Sequence, residues 1–255
     1  MALKKAAIFS LVALVIALAT SGCGASRKTG SSVRIDILAA ASLTDVFSEI
    51  AVAFEAEYPH VETRLIFAGS PTLSRQVQSG AQADLFASAN RVHMTTLQEG
   101  GHIVGDPQVF AVNQMTIVVR PGNPTGVTGL ADLSGSHDFL AFCAAEVPCG
   151  VYTRDIFVKA GLAFPNASAE ANVKATLNKV AFGAADAAIV YVTDARALSS
   201  DLTEIPLPPD LNILAEYPIG VLAESVHPEA AAAFVDFTLG ETAHGILKKH
   251  GFLLP

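Results

Sequence analysis

The chain has 255 residues, 51% of them apolar, and carries 16 Lys and Arg against 24 Asp and Glu for a formal net charge of −8. That length buries a substantial core as one large domain or two smaller ones, and the acidic balance excludes a nucleic-acid partner held by bulk charge. The seven histidines are scattered and none stands at ligand spacing beside Cys143 or Cys149, so zinc is the weaker reading of those two thiols.

At the N-terminus, Lys4 and Lys5 precede an apolar run over 6–19 and small residues before Cys23. The run is too short to span a bilayer and has the shape of a signal peptide over 1–22. Small, polar and basic residues follow, so 23–32 reads as a flexible tether. Without Lys4 and Lys5 the balance is 14 basic to 24 acidic residues, net −10. An anion site in such a protein relies on local dipoles rather than overall field. Cys143 and Cys149, six residues apart in an exported chain, are expected to form a disulfide.

The first strand is predicted over 33–38, with Val33, Ile35, Ile37 and Leu38, and it runs into Ala39-Ala40-Ala41-Ser42-Leu43-Thr44-Asp45. Leu43, Phe47, Ile50 and Phe54 then recur on one helical face. This spacing predicts Ser42 as N-cap, with Asp45 completing a capping box. A second copy follows the apolar run 61–67: Gly69-Ser70-Pro71-Thr72-Leu73 opens a helix carrying Leu73 and Val77, with Pro71 at the first helical position and Ser70 as cap. Each serine alone reads as an ordinary cap. Two after successive strands supply convergent hydroxyls and the positive ends of two helix dipoles, and neither turn contains a lysine or arginine.

Further on, 114–119 reads as a strand and 121–129 as turn-rich. Pro148-Cys149-Gly150 leads into a short helix over about 151–160 that Gly161 stops, and Asn172 caps a helix with Val173, Leu177 and Val180 on one face. The apolar run 187–190 ends at Tyr191, which is either a core aromatic or a residue at a strand's carboxyl end. A Pro-rich loop over 205–209, a strand over 217–222, a helix over 228–239 and a C-terminal helix complete the chain. This alternation predicts α/β layers with mainly parallel sheets, which place ligands at the carboxyl ends of strands.

Several stretches together resemble the periplasmic molybdate-binding proteins of ABC importers: Leu38-Ala39-Ala40-Ala41-Ser42-Leu43-Thr44, the run 67–77 through Gly69-Ser70-Pro71-Thr72, Ala83-Asp84-Leu85-Phe86-Ala87-Ser88-Ala89, Val147-Pro148-Cys149-Gly150-Val151-Tyr152, the run 188–195 through Tyr191, and Leu247-Lys248-Lys249-His250-Gly251-Phe252. The resemblance implies a type II periplasmic-binding-protein fold, with one α/β lobe over 33–112 plus 217–255, a second over 113–216, and a ligand cleft between them. It implies an oxyanion shell made of the Ser42 and Ser70 hydroxyls, the backbone N–H groups of Cys149 and Val173, and the Tyr191 hydroxyl. Molybdenum, or tungsten, enters as the oxyanion through those same residues, and no cofactor is expected. The implied partners are molybdate or tungstate and the membrane subunits of an ABC permease, with the protein itself a monomer.

Thr20-Ser21-Gly22-Cys23 resembles a bacterial lipobox, with Thr20 where leucine is usual, which implies lipid on Cys23 and an anchor on the extracytoplasmic face of the membrane. Gly69 and Pro71 stand where the family often has serine. Asp45 is read as the helix cap, Asp84 as structural and Lys174 as a solvated helix residue. The alternatives are another oxyanion, ferric ion, or an enzyme on this scaffold. Ferric ion wants clustered tyrosines or carboxylates, whereas the tyrosines lie at 58, 152, 191 and 217. An enzyme lacks support from any Gly-x-Ser-x-Gly, His-Glu-x-x-His or Gly-rich phosphate loop, and Lys28-Thr29-Gly30 has no accompanying Ser-x-x-Lys.

Overall fold

The computed structural model describes residues 32–135, 139–198 and 202–255. The expected signal peptide, the lipidation at Cys23 and nearly all of the tether lie outside them. Among the described residues no helix is long and apolar enough to cross a membrane.

Two five-stranded sheets organise the described residues. The first is built from β1 (Val33–Ala40), β2 (Val61–Ala68), β3 (Leu85–Ala87), β4 (Ile103–Asn113) and β10 (Ala215–Leu222), in the order β2-β1-β3-β10-β4. The second holds β5 (Met115–Val119), β6 (Leu140–Cys143), β7 (Ser168–Glu170), β8 (Ala187–Tyr191) and β9 (Thr203–Pro206), in the order β7-β6-β8-β5-β9. The expectation of mainly parallel sheets is corrected. β1 runs parallel to β2 and β3, and β6 to β7 and β8. β10 is antiparallel to β3 and β4, and β5 to β8 and β9. The antiparallel members are strands that follow or precede a passage between the sheets rather than a crossover helix, so nothing forces them into the parallel direction.

Among the described residues nine helices connect or flank these strands: α1 (Thr44–Glu57), α2 (Ser70–Gln78), α3 (Arg91–Glu99), α4 (Leu130–Leu133), α5 (Pro148–Lys159), α6 (Val173–Ala181), α7 (Val192–Ala197), α8 (Pro228–Thr238) and α9 (Glu241–Lys249). Strand alternation sends neighbouring side chains to opposite faces of the first sheet. Ile35, Ile37 and Leu85 join Phe47, Ile50, Phe54 and Phe234 on one face, whereas Leu38 and Phe86 join Leu73, Val77, Met94 and Leu97 on the other. Ring contacts of 5.0 Å between Phe54 and Phe234 and 5.9 Å between Phe47 and Phe234 tie α1 to α8. In the second sheet Phe142 of β6 meets Phe157 of α5 and Phe164, with centroids at 6.0 and 5.5 Å. Both sheets are thus covered, which leaves the strand ends as the place where backbone N–H groups meet open space.

Candidate functional site

A cavity with about 200 Å³ of empty space lies at those strand ends, and every residue lining it stands at or beside a strand-to-helix junction. Ala40, Ala41 and Ser42 follow β1; Gly69 and Ser70 follow β2; Ala89 follows β3. Val147, Pro148 and Cys149 open α5, Asn172 and Val173 open α6, and Tyr191 ends β8 and caps α7. Only about 10 Å³ of the cavity is open to the centre of a water-sized sphere, far below the ~300–1,000 Å³ typical of sites for organic ligands, so it suits a small polyatomic ion. Six strand-to-helix junctions thus meet at one place, and the first N–H groups of a helix have no partner within it and lie at the positive end of its dipole. None of the lining residues is a Lys, Arg, His, Asp or Glu. The five residues Ser42, Ser70, Cys149, Val173 and Tyr191, spread over 150 positions of sequence, therefore share one cavity.

The way each is held differs from the sequence reading. Ser42 is not the N-cap of α1. The chain leaves β1 through a 3-10 turn over Ala41–Leu43, and the Thr44 hydroxyl donates back to the Ala41 carbonyl at 2.7 Å, so Leu43 occupies the cap position with no side-chain cap bond. The Ser42 hydroxyl instead accepts a 3.0 Å hydrogen bond from the buried Tyr217 hydroxyl. That leaves its own proton free to donate. Asp45 closes no capping box, because its carboxylate is drawn 2.6 Å from the Lys174 ammonium.

Ser70 is likewise the first residue of α2 rather than its cap, which is Gly69, and Pro71 stands one position later than expected. Its hydroxyl accepts from the Ala89 backbone N–H at 3.1 Å, so Ser70 again retains a proton to give. Gly69 has ordinary extended dihedrals, φ −63° and ψ 138°. It is required by contact: a Cβ there would stand 2.4 Å from the Ala171 carbonyl oxygen.

In the second sheet's half, α5 starts at Pro148, so Cys149 lies inside its first turn rather than ahead of it. Proline at the start of a helix loses no hydrogen bond and extends the helix toward the cavity. Cys149 is bonded to Cys143, with Cα atoms 5.7 Å apart. Gly150 lies against this loop so closely that a Cβ would meet the Ala144 carbonyl oxygen at 2.0 Å. Asn172 caps α6 through the Ala175 N–H at 3.0 Å, and Val173 and Leu177 are buried.

Tyr191 is fully buried and its hydroxyl has no hydrogen-bond partner among the described residues. Burial, reinforced by the neighbouring Tyr217, Tyr152 and Asp194, holds its phenol well above the usual range. It is a neutral proton donor at any physiological pH. Tyr217, which the sequence reading missed as a functional residue, lies 5.8 Å from it ring to ring. The tyrosines read as dispersed thus partly converge. The Tyr217 hydroxyl is spent on Ser42 and that of Tyr152 on the Ala89 carbonyl at 3.3 Å.

The two remaining charged readings divide. Asp84 is structural: it accepts from the Asp36 N–H at 2.8 Å and the Ser225 hydroxyl at 2.6 Å. Lys174 is not a solvated residue. Its side chain is only 25% exposed and its ammonium lies 2.6 Å from Asp45 and 3.0 Å from the fully buried Asp194. The contact with Asp194 is an ion pair by distance but misses hydrogen-bond geometry, which leaves both Asp194 oxygens without such a partner. Burial raises the Asp194 carboxyl to about 6 against the opposing pull of Lys174. For Lys174 itself, burial pulls downward, but Asp194 and Asp45 outweigh it and raise the ammonium.

Residues 35–253 match the family described as bacterial extracellular solute-binding protein. The molybdate-binding protein ModA of Mycobacterium tuberculosis strain H37Rv is 34% identical over 252 residues, 96% of this chain and 97% of that protein. Among solved structures, the sulfate-binding protein SubI of the same organism superposes with a TM-score of 0.79 at 20% identity, covering 87% of each chain. The periplasmic molybdate-binding protein of Azotobacter vinelandii does so with a TM-score of 0.76 at 18% identity, over 87% of this chain and 99% of that one. At those identities the structural likeness is one of fold alone.

Proposed function

Because the chain belongs to the bacterial extracellular solute-binding proteins, with a molybdate-binding protein as a full-length relative, we propose that it captures molybdate, and tungstate with it, and delivers the anion to the membrane subunits of an ABC importer. The binding site is the junction-lined cavity, between a lobe of residues 33–112 plus 217–255 and a lobe of residues 113–216. Ser42, Ser70 and Tyr191 donate hydroxyl protons to the anion, and Cys149 and Val173 donate backbone N–H groups. Signal peptide 1–22 directs export, and lipid on Cys23 anchors the mature monomer to the outer face of the membrane.

The observation that carries this reading is a buried cavity that offers proton donors and no charged side chain. Donors without acceptors suit a fully deprotonated dianion, whereas phosphate brings a proton that needs an acceptor, and no carboxylate lines the cavity. Ferric ion calls for anionic ligands, and burial keeps Tyr191 in its neutral form. Catalysis is unsupported by the same lining: it holds no histidine, carboxylate or lysine to serve as a base, and its one cysteine is disulfide-bonded.

Isothermal titration of the anion-stripped mature protein tests the proposal. Molybdate and tungstate are expected to bind one to one, with sulfate and phosphate far weaker and ferric ion silent. Equal affinity for sulfate would make the protein a general oxyanion binder, and saturable ferric binding alone would replace the oxyanion reading.

A further inference from the structure

Three cavity residues are each followed within one turn by a charged residue that does not itself line the cavity: Ser42 by Asp45, Val173 by Lys174, and Tyr191 by Asp194. These three meet one another. The Lys174 ammonium stands between Asp45, on α1 beside the first sheet, and Asp194, on α7 beside the second. Among the described residues, Lys174–Asp45 is the only ion pair that crosses from the elements of one sheet to those of the other. The other side-chain ties across that seam are neutral or to backbone: Asn113 Nδ2 with the Thr193 hydroxyl at 2.8 Å, His93 Nε2 with the Glu146 carbonyl at 3.0 Å, and the Tyr152 hydroxyl with the Ala89 carbonyl at 3.3 Å.

We propose that Lys174 is a positioning residue that holds the cleft shut over the anion without touching it, by docking Asp45 of one lobe onto an ammonium fixed from behind by the buried Asp194 of the other. This rests on the binding reading given above. The two legs of the contact differ in kind. Asp194 is fully buried, so withdrawing its cation would leave an uncompensated charge in a poorly solvated place. Lys174 and Asp194 both belong to the second lobe, and their pairing therefore persists whether the cleft is open or shut. Asp45 has a half-exposed side chain, 47% accessible. When the lobes part it is rehydrated at little cost, so the Asp45 leg forms on closing and breaks on release. A contact made after encounter acts on the dissociation rate, whereas a cation that merely attracts anions acts on the association rate.

Stopped-flow tyrosine fluorescence with molybdate separates the two. Lys174→Met and Asp45→Asn are expected to raise koff about five- to tenfold while kon stays within about twofold, and Lys174→Arg is expected to keep the parental koff. The double variant Asp45→Asn with Lys174→Met should lose no more than the larger single change, because both remove one contact. Unchanged koff in Asp45→Asn, which lies on the surface and does not endanger folding, overturns the proposal; so does a change confined to kon. If the parent does not bind molybdate, the functional reading fails separately. The same koff comparison with sulfate then decides: faster release in Lys174→Met and Asp45→Asn but not in Lys174→Arg supports the tie, and equal rates overturn it.

Discussion

Replacing Tyr191 with phenylalanine should move stability and binding in opposite directions. The Tyr191 hydroxyl is buried and no other group among the described residues bonds it, and a buried polar group without a hydrogen bond costs about 1–3 kcal/mol. Phenylalanine keeps the ring that packs 5.8 Å from Tyr217 and removes only the unsatisfied oxygen. The anion-free variant is therefore expected to gain about 1 kcal/mol, which for a chain of this size raises Tm by about 2–4 °C. Binding should suffer instead, since a hydrogen bond to a charged group contributes about 1.5–3 kcal/mol, or about 10- to 150-fold in Kd. Differential scanning calorimetry of the stripped protein and isothermal titration with molybdate measure the two effects. A variant that is destabilised without anion and binds normally would show that the hydroxyl serves the core, and would remove Tyr191 from the binding site.

Gly69→Ala should weaken molybdate binding by about 1–3 kcal/mol, because the added methyl would stand 2.4 Å from the Ala171 carbonyl oxygen and hold the two halves apart; parental affinity in a titration would show that the contact yields freely. Folding raises the Asp194 carboxyl from 3.8 to about 6, so its protonated form contributes stability that is fully present below pH 3.8 and is lost as pH rises through about 6. The Tm of Asp194→Asn relative to the parent should thus climb between about pH 4 and pH 7, and a constant difference would refute the assignment. Cys143 and Cys149 should resist alkylation in the unreduced, denatured protein, and reduction should cost about 2 kcal/mol in a urea melt, as expected for closing so short a loop. Two freely modified thiols would contradict the bond.

The local half of this molecule was legible in its sequence, because apolar period and turn chemistry are properties of neighbours along the chain. The strand before Ser42, the helix through Phe47, Ile50 and Phe54, and the Asn172 cap all stand where the spacing put them. Cap assignment failed at Ser42 and Ser70 for a definite reason. A serine hydroxyl chooses among acceptors and donors within about 3 Å, and the winning partners, Tyr217 and the Ala89 N–H, are 175 and 19 residues away. No local pattern encodes that competition. The same holds for Lys174, which reads as an ordinary surface lysine until α1, α6 and α7 place two carboxylates around it.

What the sequence determined by itself was a set of local points, the strand-to-helix turns at Ser42 and Ser70, the helix starts at 148–150 and Asn172 and the strand end at Tyr191, since hydrophobic periodicity and helix-start residues fix those points one by one. Only the tertiary structure decided that these junctions face a single cavity without a charged side chain, that the Ser42 and Ser70 hydroxyls are oriented by Tyr217 and Ala89, and that Tyr191 is buried with an unpartnered donor. Convergence of that kind depends on the pairing order of the two sheets and on the packing of the helices against them. Both are set by contacts between residues far apart in the chain, whose free energies no single segment contains.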